Sequence, residues 1–433
     1  TLVLWNGVPL NSIANGLSDF SSINTHNFTD ISLVYGGNAS VFGSGAIGGS
    51  IHLNTNIKSL HKNAFSVSTT IGSYGLKSES LAFYINHGKL TAKASIQFLN
   101  NDNNFEYINT TKIGRPLSVN EYGSIISKNQ QLDLFYNLNA NTNYIFSFWL
   151  SELDREVPQN MTTPFSDAKQ YDNAQRSLLT LNHKIDNLNI TLKQAYIQED
   201  FRYTEILKYI DSHYLAESYI SDADFKLERG NYLINFAGAY TNNKIVNNNY
   251  ISRVRQEESL TVFSALQYSS GFAAFNTVLR KEWQTTFEVP FIPFLAFEAK
   301  LSSAIKFRIK YNRNFRSPSF NDRFWSGSGS NGNSDLTPED AWNKEIGFDF
   351  NSKYFHFSST AYTLNILDMI LWQRKDNGNW MPNNISQVWS RGAEVKLKFK
   401  TKNLSIDGNY AYTKSTNELP NNKLDNNVGK QLR

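Results

Sequence analysis

The sequence predicts an all-β protein, a transmembrane antiparallel β-barrel, and three observations predict it. From about residue 64 onward, apolar and polar residues alternate through segment after segment, the period of strands with one buried face. Short and long polar connections take turns between these segments. In an up-and-down meander, short turns then collect at one rim and long loops at the other, as in outer-membrane barrels. Aromatic residues make up 14% of the chain and end several segments ("YIFSFW", "NYAY", "RFW"), as interfacial girdles require.

The N-terminal stretch comes first. Residues 35–55, "YGGNASVFGSGAIGGSIHLNT", spell G-x-G-x-x-G at Gly43, Gly45 and Gly48. A dinucleotide loop of that spacing needs a strand before it, a helix after it and an acidic residue about 20 positions on. Here Ile51 and Leu53 alternate with Ser50, His52 and Asn54, a strand period, and residues 63–75 hold no Asp or Glu. With no helix N-terminus to anchor a phosphate, glycine is expected to serve tight turning at positive φ and close backbone approach.

The strands follow. "LTAKASIQF" puts Leu90, Ala92, Ala94, Ile96 and Phe98 on one face and Thr91, Lys93, Ser95 and Gln97 on the other. "WNKEIGFDF", "GAEVKLKF" and "LSIDGNYAY" repeat the pattern. Connections at 86–89, 139–142, 185–187, 228–231, 269–271, 351–353 and 401–403 have hairpin composition. Long polar connections are expected at 100–128, 153–175, 242–257, 316–341 and 366–388. The count is about 17 strands. Bacterial single-chain barrels have even numbers, so the odd count, the start at Thr1 and the end at "GKQLR" lead us to expect a piece of a longer chain. A soluble sandwich or propeller would alternate too, but a propeller needs a repeat of about 40 residues, and none is present.

Composition narrows the chemistry. The 433 residues include no cysteine, which excludes disulfides and thiolate metal sites, and a formal charge of +4 does not argue for nucleic acid. No run approaches the roughly 18 apolar residues of a membrane helix, a test blind to strands. There is no G-x-S-x-G, H-E-x-x-H or P-loop. The seven histidines are scattered, with His52, His61 and His87 too far apart for a ligand cluster. No enzyme, metal site or cofactor is expected.

Two sets of motifs carry a resemblance. "WNGVPL" (Asn6, Gly7, Pro9) and "ISLVYGGNASVFGSGAIGGSIHL" (31–53, with Gly36, Gly43, Gly45, Gly48 and Gly49) resemble the end of the plug domain of TonB-dependent outer-membrane receptors. "NFRSPSFNDRF" and "NSDLTPEDAWNKEIGF" resemble that family's barrel signature, through Arg316, Pro318, Asp335, Leu336, Pro338, Glu339, Glu345 and Gly347. "NISQVWSRGAEV" is similar to the strand that follows. Tyr35, Gly37 and Asn6 stand where the family more often has Arg, Pro and Asp.

The resemblance implies the C-terminal part of a lumenal plug in residues 1–56 and a partial barrel in 60–433, 22-stranded when complete. Glu345, Asp349, Glu394 and Lys396 would then face the plug. It implies a receptor of the Gram-negative outer membrane, set in outer-membrane lipid. Such a receptor binds a scarce, large ligand at its loops and plug apex and imports it when the TonB complex rearranges the plug. Size and resemblance favour cobalamin or a ferric siderophore. Arg323, Trp325, Trp372, Arg374 and Trp380, aromatics beside guanidinium groups, are the candidate ligand contacts, although Trp325 and Trp372 also suit an upper girdle. A non-transporting surface binding protein or adhesin, using the same loops, is the alternative.

Overall fold

The computed structural model describes residues 1–36, 41–56, 62–158, 160–162, 166–327 and 329–418. Gly37 and His61 lie outside the described residues. Among these, seventeen long strands, from Ala64–Ile71 to Ser405–Asn417, form an antiparallel wall ordered as a closed barrel. No helix is long and apolar enough to cross a membrane.

The alternation read from the sequence is what gives this wall its two sides. In the strand Leu90–Asn101, Leu90 and Phe98 point outward, while Lys93 is 2% exposed and Thr91 is buried. Lys93 lies opposite Asp133 on the strand Ile125–Asn137, and Asp133 in turn lies opposite Ser147, whose hydroxyl donates to it at 2.6 Å. Inward residues therefore form a polar, hydrogen-bonded lining, and outward ones an apolar face. Aromatic cross-strand pairs lie along the wall: Tyr196 with Tyr219 at 4.8 Å, Tyr232 with Tyr268 at 4.9 Å and Tyr311 with Trp342 at 5.3 Å. Such pairs add about 0.5–1.5 kcal/mol each beyond area burial.

Although the four-residue link 206–209 lies at the other rim, the short turns read from the sequence fall at one rim. Examples are the links from His87 to Leu90, Ile185 to Leu188 and Arg229 to Tyr232. The long connections are shorter than expected. The strands run on to Asn101, Glu156, Asn247, Arg316 and Arg374 and resume at Ile125, Lys169, Val254, Glu339 and Trp380. The expected loops 242–257 and 366–388 are thus mostly strand. Strands of about 20 residues span roughly 66 Å, far beyond the roughly 25 Å apolar band. Past that band both faces are wet, so alternation disappears while the ladder continues.

Two aromatic segments are also corrected. "RFW" does not end a strand. Phe320–Phe324 is a helix, opened by a capping box in which Ser319 and Asp322 bond each other's backbone. Trp149, in "YIFSFW", is no girdle residue: it shares the inward face with Ser147 and Ser151 and is fully buried.

A second sheet occupies the first part of the chain. Its order is Val8–Pro9, Leu2–Trp5, Gly49–Asn54, Asp30–Tyr35, with the middle pair parallel. The strand after the glycines is therefore real, and no helix follows them. This sheet, with its connections, touches inward residues on wall strands all round the circle, from Lys93 through Trp149, Lys193 and Arg280 to Lys396. It consequently lies inside the barrel.

Candidate functional site

The inner sheet meets the wall through one main apolar patch and many polar bonds. The patch joins Val3, Trp5, Val8, Leu10 and Leu53 to Trp149, Leu178, Ala195 and Ile197. Trp5 and Trp149 are edge to face at 5.9 Å, and the Arg176 guanidinium lies 4.2 Å above the Trp149 ring. A smaller patch sets Ala14 against Tyr214, Ala216, Ile245, Tyr250 and Phe320, and the other contacts are mainly polar. Lys93 Nζ donates to the Asn27 carbonyl at 2.6 Å, Lys193 Nζ to the Asn6 carbonyl at 3.1 Å, and Arg280 to the Val41 carbonyl at 3.3 Å. The Ser317 amide donates to Ser44 Oγ at 2.8 Å and the Gly45 amide to the Phe315 carbonyl at 3.1 Å. A cavity of about 630 Å³ remains between sheet and wall, lined by Lys193, Asp222, Arg280 and Glu282 among others.

The motif residues of the inner sheet lie in this contact zone. Asn6 and Gly7 form the turn before Val8–Pro9, both at positive φ, and Pro9 pairs with Leu4. A side chain on Gly36 would strike the Glu345 carboxylate of the wall, and one on Gly43 would approach the Arg280 guanidinium to 2.8 Å. Gly49 opens the strand Gly49–Asn54 opposite Tyr35. Gly48 is exposed beside it. Lys396 lies 5.8 Å above the Tyr35 ring, so Glu345 and Lys396 do face the inner sheet.

At the long-loop rim the inner segment 10–23 meets the wall. Asp19 pairs with Arg155 at 2.7 Å and Ser12 shares a hydrogen bond with the Tyr214 hydroxyl at 3.2 Å. Partial burial pushes the Asp19 pKa up. The Ser21 hydroxyl and amide, and then Arg155, outweigh it and hold that carboxyl below its ordinary value. A second cavity of about 540 Å³ opens here between Asp19, Phe20, Arg155, Asp172, Arg176 and Tyr214.

The barrel-signature residues build the neighbouring part of that rim. Arg316 bridges Glu339 at 2.6 Å and Asp322 at 3.5 Å, and Glu339 accepts the Ile370 amide at 2.9 Å. Leu336 and Pro338 are buried beneath the connection, Asp335 is exposed, and Pro318 is buried against the lumenal cavity. Gly347 makes room for Arg308, which bonds Asp349 at 2.8 Å.

Three of the candidate ligand contacts gather on the helix Phe320–Phe324. Arg323 is 5% exposed, paired with Glu257 at 2.7 Å and set against the Phe287, Phe320 and Phe324 rings. It is thus turned inward, onto the lumenal cavity, rather than presented at a loop surface. Trp372 Nε1 donates to Asp322 at 3.0 Å and Trp325 Nε1 to Ser330 at 3.0 Å. Arg374 and Trp380 stand apart, paired across the exposed tip of the 375–379 hairpin. Sequence reading did not single out Arg176, Lys193 or Arg280. Each sits at an inward position of an alternating strand, which was the available signal. Among the described residues, no group of three or more His, Asp or Glu is placed to hold a metal ion.

A polar-lined β-barrel with a small sheet bonded into its lumen defines the class, that of outer-membrane-type barrels with a filled lumen. The profile of the family described as TonB dependent receptor-like, beta-barrel matches residues 14–433, and the chain belongs to that family, a class of receptors and not of enzymes. It is 32% identical over 122 residues to the vitamin B12 transporter BtuB of Photobacterium profundum, covering 27% of this chain and 20% of that protein. To BtuB of Vibrio vulnificus it is 22% identical over 419 residues, 93% of this chain and 64% of the relative. The chain thus spans less than two thirds of either relative. The crystal structure of the siderophore receptor PirA from Acinetobacter baumannii superposes with a TM-score of 0.78 at 14% identity. That match covers 99% of this chain and 74% of PirA and shows a shared fold.

Proposed function

We propose that this chain is the greater part of an outer-membrane importer in which residues 1–56 close a plug and residues 60–433 form the barrel around it. The observation that carries the reading is the way the inner sheet is held. Apart from the apolar patches around Trp149 and Ala14 and the Asp19–Arg155 ion pair, it is held to the wall mainly by hydrogen bonds, among them those from Lys93, Lys193, Arg280 and Ser317. Water can replace such bonds at a net cost of about 1–3 kcal/mol each, the upper end for the charged donors, so a pull can shift the sheet without unfolding the wall. The pull would come from the TonB complex. The ligand would bind over segment 10–23 and the rim built on Arg316, Trp325, Trp372, Arg374 and Trp380.

Cobalamin is the ligand we favour, because two relatives carry the name of vitamin B12 transporters. A ferric siderophore is the second reading, resting on the shape shared with a siderophore receptor. The test is uptake of labelled cobalamin by cells lacking the gene, with ferric siderophores as competitors. Loss of cobalamin uptake, restored by the full-length gene, is expected. Unchanged uptake of both ligands would overturn the import reading.

A further inference from the structure

Cations at the two rims are used in different proportions. At the long-loop rim several are closed in ion pairs, Arg155 with Asp19 at 2.7 Å, Arg202 with Asp211 at 2.9 Å, Lys208 with Glu205 at 2.6 Å and Arg313 with Asp340 at 2.7 Å, while Lys112, Arg115, Arg253 and Lys375 are exposed without an ion pair among the described residues. At the short-turn rim, Lys89, Lys184, Arg229, Lys300, Lys353 and Lys402 are exposed, one at each of six turns. None of the six forms an ion pair among the described residues. The acids at these turns are Asp186 and Glu228, both exposed.

Each of these cations has an exposed apolar companion at its own turn or the neighbouring one. Lys89 Nζ bonds the carbonyl of Leu138 at 2.8 Å, and Lys353 lies 5.1 Å from the Tyr354 ring. Ile185 follows Lys184, Tyr232 stands across the turn from Arg229, Leu301 follows Lys300, and Leu404 lies two residues beyond Lys402. All six companions are exposed, Leu301 to 71%. A repeated cation with an adjoining apolar side chain is the pattern of a surface seated at a headgroup layer: the apolar group enters the acyl boundary while the cation stays among charges.

We propose that the short-turn rim docks on anionic phospholipid headgroups, as a basic collar that fixes the depth and tilt of the barrel. Unpaired, exposed cations gain from an anionic surface what paired ones cannot, and that gain falls off within a Debye length. The collar is selective for lipid charge and indifferent to the ligand carried.

The experiment uses the purified full chain in vesicles of phosphatidylcholine alone, or of phosphatidylcholine mixed with phosphatidylglycerol. The charge-removed variant carries Lys184→Gln, Arg229→Gln, Lys300→Gln, Lys353→Gln and Lys402→Gln. Phosphatidylglycerol is expected to raise the wild-type unfolding midpoint at about 50 mM salt, with most of the rise lost at about 500 mM. The variant should match wild type in phosphatidylcholine and lose more than half of the rise. A control with Lys112→Gln and Arg115→Gln, in the long connection 102–124, should keep the rise. No rise in wild type, an equal rise in the variant, or loss in the control would overturn the proposal. If the variant does not fold, native mass spectrometry of wild type decides: preferential retention of phosphatidylglycerol supports the collar, and equal retention of both lipids overturns it.

Discussion

Lys193 donates from its ammonium nitrogen to the main-chain oxygen of Asn6 at 3.1 Å, tying the middle of a wall strand to the tightest turn of the inner sheet. Asn6 is held on its other sides by the sheet itself: its amide bonds the Leu53 carbonyl at 2.9 Å, and its side chain accepts the Thr55 amide at 2.8 Å. The wall bond is therefore the one that can be removed without dissolving the turn. Lys193→Met keeps the aliphatic stem and deletes the donor. We expect faster hydrogen exchange at residues 2–9, equivalent to about 1.5–3 kcal/mol for a charged hydrogen bond, with wall strands unchanged. Unaltered exchange at 2–9 would contradict the role given to Lys193.

The apolar patch predicts a larger effect. Trp5 and Trp149 are both fully buried and meet edge to face. Trp5→Ala removes one ring and leaves a cavity against the other, at a cost of about 3–5 kcal/mol. Because the loss lies in the lumen, the change should appear as easier proteolysis of residues 1–56 while the barrel keeps its strand signal in circular dichroism.

At the rim, Glu339 serves two partners at once, the Arg316 guanidinium and the Ile370 amide. Glu339→Ala leaves the half-buried Arg316 guanidinium and the buried Ile370 amide without it, at a cost on the order of 2–3 kcal/mol. The connection 317–338 should then become the first site of protease cleavage. Glu339→Gln, which still accepts from the amide, should recover part of the loss; equal damage from both variants would mean that the carboxylate's charge alone matters.

How far the sequence could be read follows from what each element rests on. The strand Leu90–Asn101 was legible because lipid on one side and lumen on the other impose alternation on every residue. The strand Trp380–Lys400 was half hidden, because its first residues lie where both faces meet water. The helix Phe320–Phe324 was missed because five residues are too few for a period, although the S-x-x-D cap at Ser319 and Asp322 was there to read. The setting of Arg323 was hidden for a different reason. Nothing local reveals that Glu257, on a strand far away in sequence, closes over it.

Asp19 gives a pH prediction. Its folded pKa lies below its ordinary value, so its contribution is fully present above that ordinary value and is lost only as pH falls through the lowered one. Protection of segment 10–23 should therefore be the same at pH 7 and pH 5. Arg155→Gln should loosen the segment at both. The two side chains are 38% and 27% exposed, so solvent screening keeps the effect below about 1 kcal/mol. Exchange that rises between pH 7 and pH 5 in the wild type would show that another group holds the segment.

The glycines of G-x-G-x-x-G provide the sharpest separation between a turn and a ligand loop. Gly43 has φ +106°, and a Cβ there would come within 2.8 Å of Arg280. Gly45 has φ +84° with no atom within 4 Å of that position, and Gly48 has neither a positive φ nor a neighbour. A side chain in left-handed backbone costs about 1–2 kcal/mol, while alanine at a compatible glycine is neutral or stabilising by about 0.4–1 kcal/mol. Thermal unfolding should therefore rank the variants Gly43→Ala as the most damaged, Gly45→Ala intermediate and Gly48→Ala unharmed, with Gly45→Val worse than Gly45→Ala because the β-branched chain fits that backbone poorly. A phosphate cradle would need all three positions bare for its ligand, and all three variants would fail alike in function whatever their stability. The graded order belongs to a chain that turns tightly between two short strands while Arg280 presses against it from the wall.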